Sequence, residues 1–278
     1  MAKRFDGMRV FITGASSGIG AALAGEYARR GARVALAARN ASRLGEVRQS
    51  IEADGGKAIA VVCDVTDPPS IDGAVAKTVE TFGGIDIAVA NAGFGVSGPF
   101  EKLTTDDYRR QFDANFFGTI DTIRAVLPHL KASRGRLGIV SSVLGRMGLA
   151  TTSAYCASKF ALCGLAESVD CEFREHGVSV TCINPGVVAT SFRSVDNDNV
   201  LHSERVDPAP RWMRVPADKA AKEIVRALDR RKFEAVITGH GKAIAFIVRH
   251  FPRTVRALTR LLTRGKLNAV QELKRGPH

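Results

Sequence analysis

Tyr155 and Lys159 carry the clearest chemical signal in the sequence. They lie in a segment with helical periodicity, where a spacing of four residues places both side chains on one face. An ammonium close to a tyrosine hydroxyl favours the phenolate and lowers a phenol pKa of about 10. Such a phenol can exchange a proton with an alcohol or carbonyl oxygen. The pair stands thirteen residues after Ser142, which directly follows a predicted strand, and open α/β sheets bind ligands at strand carboxyl ends. The pair therefore predicts a general acid–base, and a functionless exposed Tyr–Lys pair is the alternative.

A glycine-rich turn follows the first apolar segment. Residues 13–20 read Thr-Gly-Ala-Ser-Ser-Gly-Ile-Gly, and a helix is predicted to begin within them. Glycine permits a tight turn and lets backbone N–H groups approach a pyrophosphate, while the helix N-terminus adds partial positive charge. The G-x-x-x-G-x-G spacing differs from the commoner G-x-G-x-x-G fingerprint, and a purely structural turn also uses glycine. The position between a first strand and a first helix therefore carries the prediction of a dinucleotide site. The residues assigned to it are Gly14, Ser16, Ser17, Gly18, Ile19 and Gly20.

The end of the second predicted strand indicates which dinucleotide. An acidic residue about 20 positions after the glycines binds the ribose 2′-hydroxyl of NAD(H) in many such folds. Here that position is Ala38, and Arg39 follows it, with Arg43 one helical turn further on. A guanidinium pairs well with phosphate, and no carboxylate is present to repel it. Arg39 therefore predicts a preference for NADP(H), and a solvated loop arginine is the alternative.

These residues need a sheet whose strands end at one edge. Short apolar runs alternate with helical segments, and most lack polar alternation, as in parallel strands buried on both faces. The predicted strands are Met8–Ile12, Arg33–Ala38, Ala58–Cys63, Ile85–Ala90, Leu137–Ser141, Val178–Ile183 and Glu234–Thr238. The predicted helices are Gly18–Arg30, Ser42–Ala53, Pro69–Phe82, Thr105–Leu130, Ser153–His176 and Ala217–Arg231. We expect one α/β domain over 1–239, a doubly wound parallel sheet (Rossmann fold) of about seven strands with helices on both faces. A substrate-loop insert at 190–215 and an extension at 240–278 stand apart from this pattern.

An ordered set of motifs spans nearly the whole of residues 8–238. It comprises Thr13–Gly20, Asp64-Val65, Asn91-Ala92-Gly93, Asn115, Ser142, Tyr155-x-x-x-Lys159, and Asn184-Pro185-Gly186 followed by Thr190. This set resembles that of the short-chain dehydrogenases/reductases, and the alanine-rich strand end before Arg39 is similar to their NADP-preferring branch. One departure is Ala90, where the family commonly has a first asparagine before Asn91.

The resemblance implies a role for each catalytic position. Tyr155 is expected to be the acid–base, and Ser142 to hydrogen-bond the substrate oxygen. Lys159 is expected to lower the tyrosine pKa and hold the nicotinamide ribose. Asn115 is expected at a helix irregularity, where it holds a water of the proton relay. The offset to Tyr155 selects Ser142 over Ser141, which is expected to be a strand-end residue.

The resemblance also implies the remaining cofactor contacts. Asp64 and Val65 are expected to flank the adenine, and Asn91 to support the central strand and the adenine ribose. Val188 and Thr190 are expected to touch the carboxamide. The further positions assigned to the cofactor are Ala92, Gly93, Pro185 and Gly186.

Apolar side chains concentrate on the loops expected at the mouth of the site. The substrate residues we predict are Ser142, Leu144, Tyr155, Phe192 and Trp212. This composition favours a lipophilic ketone or alcohol. The stretch 196–199 reads Asp-Asn-Asp-Asn, but the rest of a calcium loop is absent, so we predict a solvated lid and no metal site.

The net charge of +12 is concentrated in the extension. Residues 240–278 hold nine Lys or Arg and one Glu, a net +8. Apolar residues recur there at helical spacing and arginines recur on another face, while Pro252 is expected to divide or kink the helix. The apolar stripe has three candidate occupants: the protein's own domain or a second subunit, a membrane interface contacted through 240–264, or an acidic protein. Nucleic acid is not expected, because no reader motif is present and aromatic residues are few.

The expected protein is an NADP(H)-dependent oxidoreductase acting on a carbonyl or secondary alcohol of a small lipophilic molecule. A 3-oxoacyl thioester reductase with an acidic carrier partner is one alternative, and a non-catalytic NADP-binding or docking module is another. The five scattered cysteines predict buried thiols in a reducing compartment. The N-terminus has no signal-peptide character, so we expect a cytoplasmic protein, peripheral at a membrane if the extension docks there. We also expect a homo-oligomer.

Overall fold

Strands and helices alternate along the computed structural model, which describes residues 4–190, 192 and 210–261. The acidic stretch at 196–199, most of the predicted insert and residues 262–278 lie outside the described residues. The strands are β1 (Arg9–Thr13), β2 (Arg33–Ala38), β3 (Lys57–Val62), β4 (Ile87–Ala90), β5 (Arg136–Val140), β6 (Ser179–Pro185), β7 (Val188–Ala189), β8 (Val215–Pro216) and β9 (Glu234–Ile237). The helices are α1 (Gly18–Arg29), α2 (Ala41–Ala53), α3 (Pro68–Phe82), α4 (Thr105–Phe112), α5 (Gly118–Ser133), α6 (Ser153–Arg174), α7 (Ala217–Asp229) and α8 (Gly239–His250).

Seven strands form one parallel sheet in the order β3-β2-β1-β4-β5-β6-β9. The predicted fold class, a doubly wound sheet with helices on both faces, is confirmed. The order reverses between β1 and β4, which opens a crevice at their carboxyl ends. A two-residue parallel ladder between β7 and β8 was not predicted, because such short segments carry no periodicity. It fixes the chain after β6 beside the start of α7.

Both faces of the sheet are buried, as the continuous apolar runs predict. Val10 and Ile12 of β1 pack with α1, α2 and α7, while Phe11 between them packs with α3, α5 and α6. This alternation follows from the two-residue period of a strand. Each fully buried Ile or Phe contributes roughly 1.5–3 kcal/mol, so the strand ends are held firmly in place.

The single helix predicted over Thr105–Leu130 is wrong in its middle. A π-helical turn at Asp113–Phe117 separates α4 from α5. One extra residue per turn rotates the following face, and such bulges are frequent at functional sites. The irregularity lies where the resemblance placed one, around Asn115, whose side chain is fully buried.

The C-terminal helix is interrupted where Pro252 predicted a break. Helix α8 ends at His250, Phe251 is not helical, and residues 252–261 are helical again. In the part of the chain that the structure describes, no helix is both long and apolar enough to cross a membrane.

The five thiols are free. Four are buried, as predicted, but the prediction is wrong for Cys171, which is exposed on α6. Helix α6 turns this position toward solvent, while Cys163 on the same helix faces the sheet.

Candidate active site

Helix α6 carries the Tyr155–Lys159 pair in its first two turns. The Lys159 Nζ lies 5.7 Å from the centre of the Tyr155 ring, so the four-residue spacing places both on one face. Tyr155 is half-buried and its ring packs on Phe192, with centroids 5.6 Å apart. The phenol thus stands at the boundary between the protein interior and the loops at the sheet edge.

Lys159 is almost entirely buried, with 4% of its surface exposed. Its Nζ donates a hydrogen bond of 2.8 Å to the carbonyl of Val140, at the end of β5. Burial removes the ammonium from water and lowers the pKa of Lys159 to about 8. A cation held here at neutral pH favours negative charge on a neighbouring phenol.

Ser142 and Ser141 point in opposite directions after β5. The Ser142 Oγ accepts a hydrogen bond of 3.1 Å from the Leu144 amide, which leaves its O–H proton to donate elsewhere. The Ser141 Oγ donates to the Lys159 carbonyl at 2.8 Å, which ties the strand end to α6. Ser142 is therefore the hydroxyl suited to bind a ligand, and Ser141 braces the helix that carries Tyr155.

Asn115 connects α6 with the loop after β4. Its Oδ1 accepts from the Phe94 amide at 3.0 Å, and its Nδ2 donates to the Phe94 carbonyl and to Ser158 Oγ. Gln111, one turn earlier, holds the same loop through Val96 N and the Phe94 carbonyl. Gln111 was not predicted from the sequence, although a lone polar residue on the buried face of a helix is a usable signal.

The glycine turn is shaped as an anion cradle. Gly14 and Gly18 have φ of 65° and 55°, and a Cβ on Gly14 would lie 2.9 Å from the Ala92 Cα and from Asn91 Nδ2. Ser17 occupies the N-cap of α1, but no side chain caps the helix. The first amide groups of α1 are therefore left without a side-chain acceptor, as a bound phosphate requires. Ser16 and Ile19 are half-buried in this turn, and Gly20 is buried.

Asn91 fastens the turn to the neighbouring strand. Its Nδ2 donates to the carbonyls of Thr13 and Gly14, and its backbone N–H donates to Thr13 Oγ1 at 3.0 Å. The Ala92 amide donates to the same hydroxyl at 3.1 Å. Ala90 in place of the first asparagine is buried and leaves these bonds intact.

The adenine end of the crevice lies beyond β2 and β3. Arg39 is exposed, and its guanidinium has no ion-pair or hydrogen-bond partner among the described residues. One carboxylate oxygen of Asp64 accepts from the backbone and hydroxyl of Thr66, and Val65 beside it is half-buried. A cation without a carboxylate partner fits a 2′-phosphate, so the described residues fit a dinucleotide from its adenine ribose to its pyrophosphate.

The loop after β6 returns to the glycine turn. Pro185 ends β6, Val188 is buried in β7, and the Thr190 side chain lies 3.2 Å from the point where a Cβ on Gly18 would stand. Gly93, on the opposite side of the crevice, contacts Asn115 so closely that a Cβ would lie 2.7 Å from Asn115 Oδ1. These segments bracket the space between the cradle and Tyr155.

The substrate residues are placed unequally. Phe192 packs on Tyr155, and Leu144 is half-buried beside Ser142. Trp212 is 81% exposed on a short 3₁₀ turn and stacks on no aromatic ring within the described ranges. Its part in the substrate site stays a prediction. The same ranges contain no group of three or more His, Cys, Asp or Glu arranged to hold a metal.

Comparison with known proteins gives consistent findings. The sequence profile described as "short chain dehydrogenase" matches residues 8–200. The uncharacterized oxidoreductase YxnA of Bacillus subtilis is 34% identical over 256 residues, covering 90% of this chain and 71% of that protein. The 3-ketodihydrosphingosine reductase of Bos taurus is 32% identical over 241 residues, covering 84% and 72%. An alcohol dehydrogenase from Thermococcus sibiricus, solved with 5-hydroxy-NADP, has a TM-score of 0.72 and 27% identity, covering 83% of this chain and 96% of that one.

Proposed function

The chain belongs to the short-chain dehydrogenase family and is an oxidoreductase that uses a nicotinamide cofactor, and on that premise we propose that it is NADP(H)-dependent and interconverts a lipophilic ketone and its secondary alcohol. The observation that carries the proposal is the convergence of Ser142, Tyr155 and Lys159 beside the glycine cradle at one edge of the sheet. When bound, the cofactor supplies or accepts the hydride.

The chain's own residues handle the proton and the substrate oxygen. In the direction of reduction, the Tyr155 hydroxyl gives its proton to the carbonyl oxygen as negative charge develops there. The Ser142 O–H donates a second hydrogen bond to the same oxygen and fixes its position. The buried Lys159 ammonium stabilises the phenolate that remains, because its charge is little screened in the dry interior. Asn115 holds the loop at Phe94 against α6, and we propose that it also positions the relay water.

The proposed preference for NADP(H) over NAD(H) rests on Arg39. Its unpartnered guanidinium follows β2 where an NAD(H) enzyme would carry a carboxylate, and phosphate binding favours the cation. The Thermococcus sibiricus relative bound to a 5-hydroxy derivative of NADP supports the same assignment.

The proposal of a lipophilic substrate rests on the apolar groups beside the Tyr155 phenol. Phe192 covers one side of Tyr155 and Leu144 follows Ser142, so a ketone held by these hydroxyls would lie among apolar side chains. The bovine relative named 3-ketodihydrosphingosine reductase supports a ketone of lipid chemistry.

We further propose that the enzyme is cytoplasmic, forms a homo-oligomer and contacts membranes peripherally through 240–264. Phe246 and Phe251 are 58% and 55% exposed, beside exposed arginines, a combination suited to an anionic lipid surface. Phe117 and Phe160, exposed on neighbouring elements, support a subunit interface elsewhere. Five free thiols favour a reducing compartment.

The experiment is a screen of NADPH oxidation with ketosteroids, retinoids, fatty aldehydes and 3-oxoacyl thioesters. We expect turnover with a free lipophilic carbonyl, and a Tyr155→Phe variant should lose about 10²–10⁴-fold in kcat while NADPH binding persists. Tyr108→Phe is the matched control, since its hydroxyl is hydrogen-bonded to Ser153 at the start of α6 and Tyr108 is not among the predicted site residues. Turnover retained by Tyr155→Phe would refute the mechanism. Exclusive use of thioesters would favour the alternative of a 3-oxoacyl thioester reductase. NADPH binding without turnover would favour the alternative of a non-catalytic docking module.

A further inference from the structure

His240, in the first turn of α8, is hydrogen-bonded to the loop after β6. Its Nε2 accepts from the Val187 amide at 2.9 Å and lies 3.1 Å from the Thr238 hydroxyl. Because an amide N–H can only donate, Nε2 carries no proton and the ring is the Nδ1–H tautomer. Partial burial lowers the pKa of His240, which favours this neutral ring.

The contact is tight and fully paired. A Cβ on Gly186 would lie 2.4 Å from Thr238 Oγ1 and 2.6 Å from His240 Nε2, so the loop and the turn before α8 touch directly. The Val187 carbonyl accepts from Val215 in β8 at 3.0 Å, so both polar groups of this residue have partners on other segments. Val187 is therefore held between β8 on one side and α8 on the other.

The turn that carries His240 is itself held in place. Thr238 is buried with φ of 84°, a conformation that a β-branched residue adopts only under strong constraint. Its hydroxyl accepts from the Gly241 amide at 3.1 Å and caps α8, and Gly241 is buried against Val143. The imidazole is thus presented to Val187 by a rigid support.

We propose that His240 is a positioning residue for the nicotinamide: it fixes the Val187 amide and so sets the segment Val188–Thr190 against the cofactor's carboxamide. The inference rests on the proposed function and on the contact of Val188 and Thr190 with that group, which the family resemblance implies. On this proposal the start of the basic extension serves cofactor recognition, whereas the exposed remainder of the extension does not. His240 touches no reacting atom and acts through Val187.

The test compares His240→Leu, which removes the acceptor, with His240→Gln, whose amide oxygen can reach the Nε2 position. Binding of NADPH and of 2′-phospho-ADP-ribose, which lacks nicotinamide, is measured by titration without substrate. We expect His240→Leu to weaken NADPH binding about tenfold or more and to leave binding of the fragment within about twofold, because loss of the acceptor for the half-buried Val187 amide releases the loop but not the cradle. His240→Gln should restore NADPH affinity. Lys242→Ala is the matched control: Lys242 lies on the same turn as His240, and the change breaks an exposed pair with Glu223 of α7, so this variant should bind both ligands normally.

Each outcome supports or overturns the positioning role of His240. Equal weakening of NADPH and the fragment, or native NADPH affinity in His240→Leu, would overturn the positioning role. If His240→Leu does not fold, failure of the folded His240→Gln variant to retain NADPH affinity would also overturn it. Absence of NADPH binding by the native protein would instead remove the proposed function.

Discussion

Replacing Lys159 by methionine should make the protein's stability respond differently to pH. The native ammonium is buried and its pKa is lowered to about 8 from 10.5, so the folded state releases this proton more readily than the unfolded chain. Below about pH 8 the lysine is charged in both states and burial of the charge destabilises the fold. Between about pH 8 and 10.5 only the folded state has lost the proton, so stability rises. Above both values the destabilisation is gone.

The difference of about 2.5 pKa units corresponds to about 3 kcal/mol in total. Linkage over the accessible window from about pH 7 to about pH 10 gives a gain of roughly 2–3 kcal/mol for the native protein relative to Lys159→Met. Methionine also leaves the Val140 carbonyl without its donor, which costs roughly 1–3 kcal/mol. That loss does not depend on pH, so the change in the difference between the two proteins reports the ionisation of the buried lysine together with that of the phenol beside it.

The assay is urea unfolding followed by circular dichroism at both pH values, without cofactor. Lys131→Met, at an exposed position on α5, is the control, because it removes a lysine without changing a buried charge. Lys159→Met should also lose turnover. If the difference in free energy of unfolding between the native protein and Lys159→Met stays constant from about pH 7 to about pH 10, the ammonium is not buried at a cost. That result would also refute the proposal that the buried ammonium stabilises the Tyr155 phenolate.

Two further predictions concern the cofactor and the extension. Arg39→Asp should lower the ratio of kcat/KM for NADPH to that for NADH by about tenfold or more, since a charge-assisted bond is replaced by repulsion; an unchanged ratio in steady-state kinetics would contradict the NADP(H) assignment. Serine at Phe246, Ile247 and Phe251 together should abolish flotation with phosphatidylglycerol vesicles, while Phe160→Ser should float like the native protein. Flotation that survives the triple change would contradict membrane contact through this helix.

Periodicity was sufficient for the sheet, because it depends on local composition, whereas the four catalytic positions stay a prediction. Strands buried on both faces must be continuously apolar, and the turn at Gly14 must lack a side chain where Ala92 approaches. The π-helical turn at Asp113–Phe117 could not be read from periodicity, since the eight residues of α4 before it are shorter than the window in which a change of helical phase can be recognised. Gln111 and His240 escaped for a different reason. Their partners lie 15 and 53 residues away, and only the packed sheet brings them together.

Helix α8 contains both the anchor of the loop after β6 and part of the exposed basic surface. The first turn of α8 is anchored to the catalytic domain through His240 and Gly241, whereas from Phe246 onward the helix exposes apolar and basic side chains. A truncation at Gly239 would therefore remove two things at once, the surface proposed to bind lipid and the acceptor of the Val187 amide. Loss of activity after such a truncation would not show that membrane binding matters. Surface substitutions beyond the first turn, compared with His240→Gln, separate the two effects, because they change the proposed lipid contact and leave the Val187 amide bonded to His240.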